Sequence, residues 1–247
     1  MKKFFAFVAM AALMMSCGEP DNGGNGNGNG IPMPDVDSEI TIDGSYSDWD
    51  AISDKVQVAT LPTEGTVTYS QLKTLKLYAD ESFIFIFCEF DPANTLVMVP
   101  YFDIDSDGLT GNESKWSGAG YEAKAEGEIW NWRTEMQYDK EVCVEQLEPK
   151  AWDPSFYLYT EDGTECVFEA GTGGVLSSVP SATKDGLYAF EALILRDALF
   201  AYELGDTFTM GMYQYNQNWA CVGQLPCITD DQKAAGELEY MLTVTLP

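Results

Sequence analysis

Short runs of apolar and β-branched residues recur along residues 38–247 with polar segments between them. The clearest pair is LKTLKLYAD and SFIFIFCEF, which flank the polar turn at Asp80 and Glu81 and predict a β-hairpin. Further strand-like runs are TLVMVPYFDI, YEAKAE, EVCVEQL, SFYLYT, ECVFEA, LYAFEALIL, TFTMGMYQY and YMLTVTL. About ten strands at this spacing predict an all-β fold, a two-sheet β-sandwich.

The N-terminal segment has the pattern of an export signal. Lys2 and Lys3 precede the apolar run FFAFVAMAALMM, which is shorter than the roughly 20 residues that a membrane span needs. Ser16-Cys17 follows, and this resembles the bacterial lipoprotein cleavage site, which implies that Cys17 carries a lipid anchor. The alternative is an ordinary secretory signal that ends near an unrelated cysteine.

A Gly/Asn-rich stretch separates this signal from the strand-forming region. Its sequence, GEPDNGGNGNGNGIPMPD, lacks apolar periodicity, so it predicts a flexible tether. We therefore divide the chain into a signal peptide (1–16), a linker (17–37) and one β-sandwich domain (38–247). The tether resembles those of surface lipoproteins of Bacteroidetes, which implies a lipid-anchored protein of the bacterial outer membrane that faces the cell surface.

The chain is strongly acidic. Its 40 Asp and Glu residues against 13 Lys and Arg give a formal net charge of −27. A surface of this sign repels phosphate backbones and anionic headgroups, so we expect no nucleic-acid partner and no membrane contact other than the N-terminal lipid.

An acidic loop is the main candidate for metal binding. YFDIDSDGLTGNES places Asp103, Asp105 and Asp107 at alternate positions after residues that favour a strand. Ser114 stands where a helix-flanked calcium loop has a bidentate acid, which excludes that class of site. Hard oxygens at this density still suit Ca²⁺, so we predict a calcium site formed by these three aspartates and Glu113. The alternative is a solvated acidic turn.

The order of motifs resembles a known family. ITIDGSYSDWDAI, then LKLYADESFIFIFCEFDP, then YFDIDSDGLTG followed by GAGYEAKAEGEIW, is similar to family 9 carbohydrate-binding modules and their DOMON-like relatives. The resemblance implies a jelly-roll or immunoglobulin-like sandwich, often calcium-bearing, that binds sugars. In that family two tryptophans hold the sugar; Trp219 falls near the second, whereas the first position has DPANTLVMVPY without a tryptophan. Trp49 corresponds to the opening motif, where the family uses it for packing.

Aromatic residues two positions apart share one face of a strand, and several such pairs occur here. Aromatic faces beside amides, as in MYQYNQNW, suit stacking on a pyranose whose hydroxyls bond to the amides. The predicted ligand-binding residues are Trp219, Tyr213, Tyr215, Asn218, Trp130 and Trp132. The alternative is that these side chains pack the core.

Histidine is absent from the chain, which removes the Ser-His and Cys-His nucleophile systems. A glycosidase that uses only carboxylates stays open, but we predict a non-enzymatic protein without catalytic residues. The cysteine spacing allows two disulfides, Cys221–Cys227 and Cys143–Cys166, and predicts a buried thiol at Cys88.

Two functions are compatible with these features. The first is a non-catalytic, calcium-stabilised, cell-surface lipoprotein that binds a polysaccharide or other glycan. The second is a structural or adhesive surface protein that contacts protein partners through its sheet faces or edges.

Overall fold

The computed structural model describes residues 38–91, 97–104, 106–107, 110–113, 116–126, 150–152, 155–159, 166–171, 175–178, 180–183, 185–196, 206–216 and 218–247. The predicted signal peptide, the linker, Cys17, Asp105, Trp130, Trp132 and Cys143 lie outside these residues.

Strands dominate the described part of the chain, as the sequence predicted. They are β1 Gln57–Thr60, β2 Leu72–Ala79, β3 Phe83–Phe90, β4 Val97–Asp103, β5 Asn112–Glu113, β6 Gly120–Tyr121, β7 Ala123–Glu126, β8 Lys150–Trp152, β9 Ser155–Tyr159, β10 Cys166–Gly171, β11 Val175–Ser177, β12 Ser181–Ala182, β13 Tyr188–Leu195, β14 Thr207–Tyr215, β15 Cys221–Leu225 and β16 Leu242–Thr245. Two short helices accompany them, α1 Asp48–Ala51 and α2 Asp230–Ala234.

The strands form two antiparallel sheets and one small β5–β6 ladder. The first sheet has the order β1-β2-β3-β13-β11-β8, with β12 paired to β13. The second has the order β10-β9-β7-β4-β14-β15, with β16 paired to β14. The all-β prediction is confirmed, and the arrangement is consistent with a β-sandwich.

One core fills the space between the two sheets. Alternate residues of β3, including Ile84 and Ile86, face alternate residues of the second sheet, including Phe102, Phe208 and Met212. These side chains lie in a single buried cluster because the residues of a strand point alternately to its two faces. The period-two pattern of the sequence therefore describes this core.

The outer face of the first sheet is also covered. Phe85 and Phe87 of β3 point away from the central core and pack with Ile40, Ile42 and Trp49, which lie in the segment before β1. This explains why β3 is apolar at nearly every position rather than at alternate ones. Trp49 is fully buried, which is the packing role that the family resemblance implied.

A buried carboxylate fixes this covering segment to the sheet. Glu191 of β13 is fully buried, and its Oε1 accepts hydrogen bonds from the backbone N–H groups of Asp43 (3.0 Å) and Gly44 (2.7 Å). Its Oε2 accepts a hydrogen bond from Trp49 Nε1 at 3.0 Å. The Asp-Gly and Trp parts of the opening motif thus meet on one acidic side chain.

Cys88, Cys221 and Cys227 carry free thiols. The Cys221–Cys227 bridge that the spacing allowed is therefore not formed. Extended strand β15 begins at Cys221 and carries the chain away from it at about 3.3 Å per residue, whereas a bridge needs Cα atoms within about 7 Å. The buried position of Cys88 agrees with the sequence prediction.

Candidate functional site

The outer face of the second sheet carries an aromatic cluster. Its buried members are Val99, Tyr101, Trp116, Tyr213 and Met241, and Tyr121, Tyr215 and Cys221 pack against them. They gather here because the inward positions of β14 hold Phe208, Met210 and Met212, which leaves the alternate positions to face outward.

Trp116 is the side chain that covers this face. Its ring is stacked on that of Tyr213, with centroids 4.5 Å apart and planes at 24°, and its Nε1 donates a hydrogen bond to the Pro226 carbonyl at 2.8 Å. The ring also lies flat over Gly211 of β14, so closely that a Cβ there would be 2.5 Å from Cζ2 of Trp116. Glycine at position 211 is therefore what allows the indole to approach the sheet.

A methyl group at position 211 should displace the Trp116 indole. We expect Gly211→Ala to lower the free energy of unfolding by about 1–3 kcal/mol, because overpacking a tight contact forces neighbours to move. Urea denaturation followed by far-UV circular dichroism measures this change. Thr243→Ala, at an exposed position of β16, is the matched control and should stay within about 0.5 kcal/mol of the parent. Equal stability of all three proteins would contradict the close packing of Trp116 on Gly211.

Tyr215 lies at the border between the buried cluster and the solvent. Its hydroxyl is 3.0 Å from that of Tyr101, and its ring centroid is 5.9 Å from that of Tyr213. Burial raises the pKa of Tyr215, and the hydrogen bond with Tyr101 opposes this rise only in part. The phenol is therefore uncharged at physiological pH, and its ring is partly exposed.

Trp219 lies beyond Tyr215, in the turn that joins β14 to β15. Its side chain is 54% exposed, and its centroid is 5.9 Å from that of Tyr215 with the two planes at 47°. Its backbone has φ 58°, in the left-handed region that non-glycine residues rarely adopt. A large apolar ring thus stands in solvent on a backbone conformation that is unfavourable by itself.

The hydrogen bonds of this turn converge on Asn216. Its Oδ1 accepts from the backbone N–H groups of Asn218 (2.9 Å) and Ala220 (3.1 Å). The Trp219 N–H donates to the Asn216 carbonyl at 2.9 Å, and the Asn216 N–H donates to the Ala220 carbonyl at 3.0 Å. These contacts determine the course of the backbone at Trp219.

The structure brings together four of the six predicted ligand-binding residues. Trp219 and Asn218 are exposed, Tyr215 is partly exposed, and Tyr213 is buried at 4% exposure, with one ring face against Trp116. Tyr213 thus packs under Trp116, and its burial leaves it little area for contact with a ligand. Trp130 and Trp132 lie outside the described residues.

Sequence reasoning missed two residues of this site. Trp116 was not singled out because it lies in a loop, far in sequence from the strand that it covers. Asn216 was not singled out either, although asparagine directly after a strand is a common turn former whose side chain bonds to nearby backbone groups.

The acidic loop follows β4 and is closed by a residue that the sequence did not indicate. Asp103 is buried, whereas Asp107 is exposed. Glu122 is fully buried; its Oε2 accepts a hydrogen bond from the Ile104 N–H at 2.7 Å, and its Oε1 lies 3.2 Å from Thr110 Oγ1. Extending the β4–β7 register by one residue puts Glu122 opposite Asp103.

The described ligands do not by themselves make a complete metal site. Among the described residues, no group of three or more Asp, Glu, Cys or His side chains is placed to hold a metal ion. Asp105 lies outside those residues, and Glu113 is described only as part of strand β5. Calcium needs six to eight oxygens, so Asp103 would require these further acids and backbone carbonyls.

Comparison with known proteins gives no relative from which a function follows. No family model, no curated protein and no solved structure matches this chain.

None of the helices in the described part of the chain has the length and apolar character needed to cross a membrane.

Proposed function

We propose that this protein is a non-catalytic glycan-binding lipoprotein whose β-sandwich is of the jelly-roll, carbohydrate-binding-module type. The observation that carries this proposal is the exposed ring of Trp219. It lies beside Tyr215, and the backbone of Trp219 has a left-handed φ. A single exposed indole is ordinary on a protein surface, but this one stands on a strained backbone conformation, and the combination points to a binding role. Strained positions of this kind cluster at ligand-binding sites.

Sugar is the ligand class that suits this surface. Indole and phenol rings stack on the apolar face of a pyranose, and Asn218, which directly precedes Trp219, is exposed and has an amide able to bond hydroxyls. A glycan is uncharged or weakly charged in most cases, so it meets less repulsion from a chain of net charge −27 than a polyanion would. The resemblance to family 9 carbohydrate-binding modules agrees with this class.

A glycan array probed with the purified protein tests the proposal. We expect retention on at least one neutral polysaccharide or oligosaccharide class, and loss of that retention for Trp219→Ala. Tyr240→Ala is the matched control, because Tyr240 is an aromatic residue of similar exposure, 60%, outside the turn. No retention on any glycan, together with capture of a protein partner that depends on Tyr240 and Leu238, would favour the structural or adhesive function instead.

We further propose that Ca²⁺ binds the loop after β4 through Asp103, Asp105, Asp107 and Glu113. Ca²⁺ at about 100 times its Kd should then raise the free energy of unfolding by about 2.7 kcal/mol, and EDTA should reverse the gain. Thermal melting with and without Ca²⁺ measures this. Asp107→Asn should reduce the shift, whereas Asp54→Asn, at another exposed aspartate, should not. A parent protein whose Tm is the same in Ca²⁺ and in EDTA would contradict the site.

For the cellular location, we propose lipid anchoring at Cys17 in the bacterial outer membrane. The Gly/Asn-rich linker would hold the sandwich away from the bilayer and leave the Trp219 turn accessible. Replacing Cys17 with serine should release the protein into the soluble fraction of the cell envelope or the medium.

A further inference from the structure

The left-handed backbone at Trp219 needs a restraint to persist. For an L-residue this conformation costs about 1–2 kcal/mol relative to the right-handed one. Trp219 has a bulky side chain and lies in a solvent-exposed turn, so core packing does not enforce the conformation. Such a conformation is held only where surrounding contacts over-determine it.

Asn216 supplies those contacts. Its side-chain oxygen binds the N–H groups on both sides of Trp219, those of Asn218 and Ala220, while its backbone groups bind Trp219 and Ala220. Asn216 itself is partly buried, and it directly follows Tyr215 at the end of β14. The restraint is thus continuous with the rigid sheet.

The orientation of the two exposed rings depends on this restraint. Tyr215 is fixed by its hydroxyl contact with Tyr101 at 3.0 Å and by packing on Tyr213. The Trp219 ring is positioned relative to Tyr215, at 5.9 Å and 47°, by the turn that Asn216 closes. Loss of the Asn216 oxygen would free the turn and let the indole sample other positions.

We propose that Asn216 is a positioning residue that pre-organises Trp219 for stacking on a ligand. This inference rests on the proposed glycan-binding function. Fixing the turn and its indole before the ligand arrives removes the cost of ordering this segment from the binding step, and this increases affinity without any contact between Asn216 and the ligand. Asn216 would therefore act through Trp219.

The test compares Asn216→Ala with Asn216→Asp in the full chain. Aspartate keeps the Oδ1 acceptor, whereas alanine removes it. The first readout is the ¹⁵N order parameter of the Trp219 indole N–H without ligand, with the resonance assigned by its loss in Trp219→Gly. We expect a value near 0.8 in the parent and in Asn216→Asp, and below about 0.6 in Asn216→Ala.

The second readout is the Kd for the glycan that the array identifies. We expect Asn216→Ala to weaken binding roughly 5- to 10-fold at an unchanged Tm, which corresponds to about 1–1.4 kcal/mol, and Asn216→Asp to restore it. An indole that stays rigid in Asn216→Ala would overturn the inference. Equal affinity of the alanine variant and the parent would overturn it as well.

The two proposals can fail separately. If no glycan binds but the indole loosens in Asn216→Ala, the restraint exists and the glycan-binding function is wrong. If the parent binds a glycan and the indole does not respond to the alanine substitution, the function stands and the positioning role is wrong.

Discussion

Replacing Trp219 with glycine should abolish glycan retention without destabilising the protein. The indole is the largest exposed aromatic surface of the turn, and central aromatic anchors commonly contribute 2 kcal/mol or more, so we expect an affinity loss of roughly 30-fold or greater. Glycine adopts φ 58° without the steric cost that tryptophan or alanine meets there. Loss of binding in this variant therefore cannot be attributed to a misfolded turn.

Comparing Trp219→Ala with Trp219→Gly separates the loss of the indole ring from the relief of the backbone strain. The alanine variant removes the same ring but keeps the unfavourable backbone conformation, so it should be about 1 kcal/mol less stable than Trp219→Gly. Affinity gel electrophoresis measures the binding of both variants, and urea denaturation measures their stability. A glycine variant that retains the parent's mobility in every gel would contradict the role of Trp219.

Replacing Glu191 with alanine should produce the largest loss of stability of any single change considered. Three donors would lose their acceptor: the partly buried N–H groups of Asp43 and Gly44 and the buried Nε1 of Trp49. An orphaned buried donor costs about 1–3 kcal/mol and a partly buried one costs less, so the free energy of unfolding should fall by about 3 kcal/mol. Denaturant unfolding followed by tryptophan fluorescence measures this loss, because Trp49 is one of the affected groups.

Glu191→Gln tests the ionisation of the same carboxyl. Burial raises the pKa of Glu191 above its ordinary value, and the three donors oppose that rise only in part. The native state therefore holds this proton more tightly than the unfolded chain does, so the stability contributed here falls as the pH rises from the ordinary pKa through the raised one.

The glutamine variant does not titrate at this position. The stability advantage of the parent over Glu191→Gln should be largest at low pH and should shrink as the pH rises. Unfolding free energies of the two proteins, measured between about pH 4 and pH 8, give the difference directly. A difference that is constant, or that grows with pH, would contradict the raised pKa.

Much of the fold follows from the alternation of apolar residues. TFTMGMYQY coincides with β14, and SFIFIFCEF contains β3, because burial on one or both faces of a strand leaves a clear sequence pattern. Strand β1 was not predicted, since its residues are mostly exposed and it is held to β2 by backbone pairing. Backbone hydrogen bonds alone leave no hydrophobic signal in the sequence.

The candidate site could be predicted only in part. The two-residue spacing of Tyr213 and Tyr215 correctly placed both rings on one face of a strand. It could not reveal that Trp116 covers Tyr213 and leaves Tyr215 at the border, because that contact joins segments far apart in the chain. The exposure of Trp219 depends likewise on a backbone conformation that no spacing rule specifies.

The burial of two acidic residues could not be predicted from the sequence either. Glu122 and Glu191 are both fully buried, yet in the sequence they resemble the many solvated carboxylates of an acidic chain. Their partners, the Ile104 N–H for one and the Trp49 indole for the other, come from distant segments. Only the folded arrangement distinguishes an acid that organises the interior from one that contributes charge to the surface.

The proposed glycan binding depends most on direct contact between the Trp219 ring and a sugar. Titrating the ¹⁵N-labelled protein with a glycan identified on the array, and following the indole N–H resonances, tests this contact. We predict that the Trp219 resonance moves with ligand while those of the buried Trp49 and Trp116 stay in place. Saturable glycan binding that leaves the Trp219 resonance unshifted would contradict this contact.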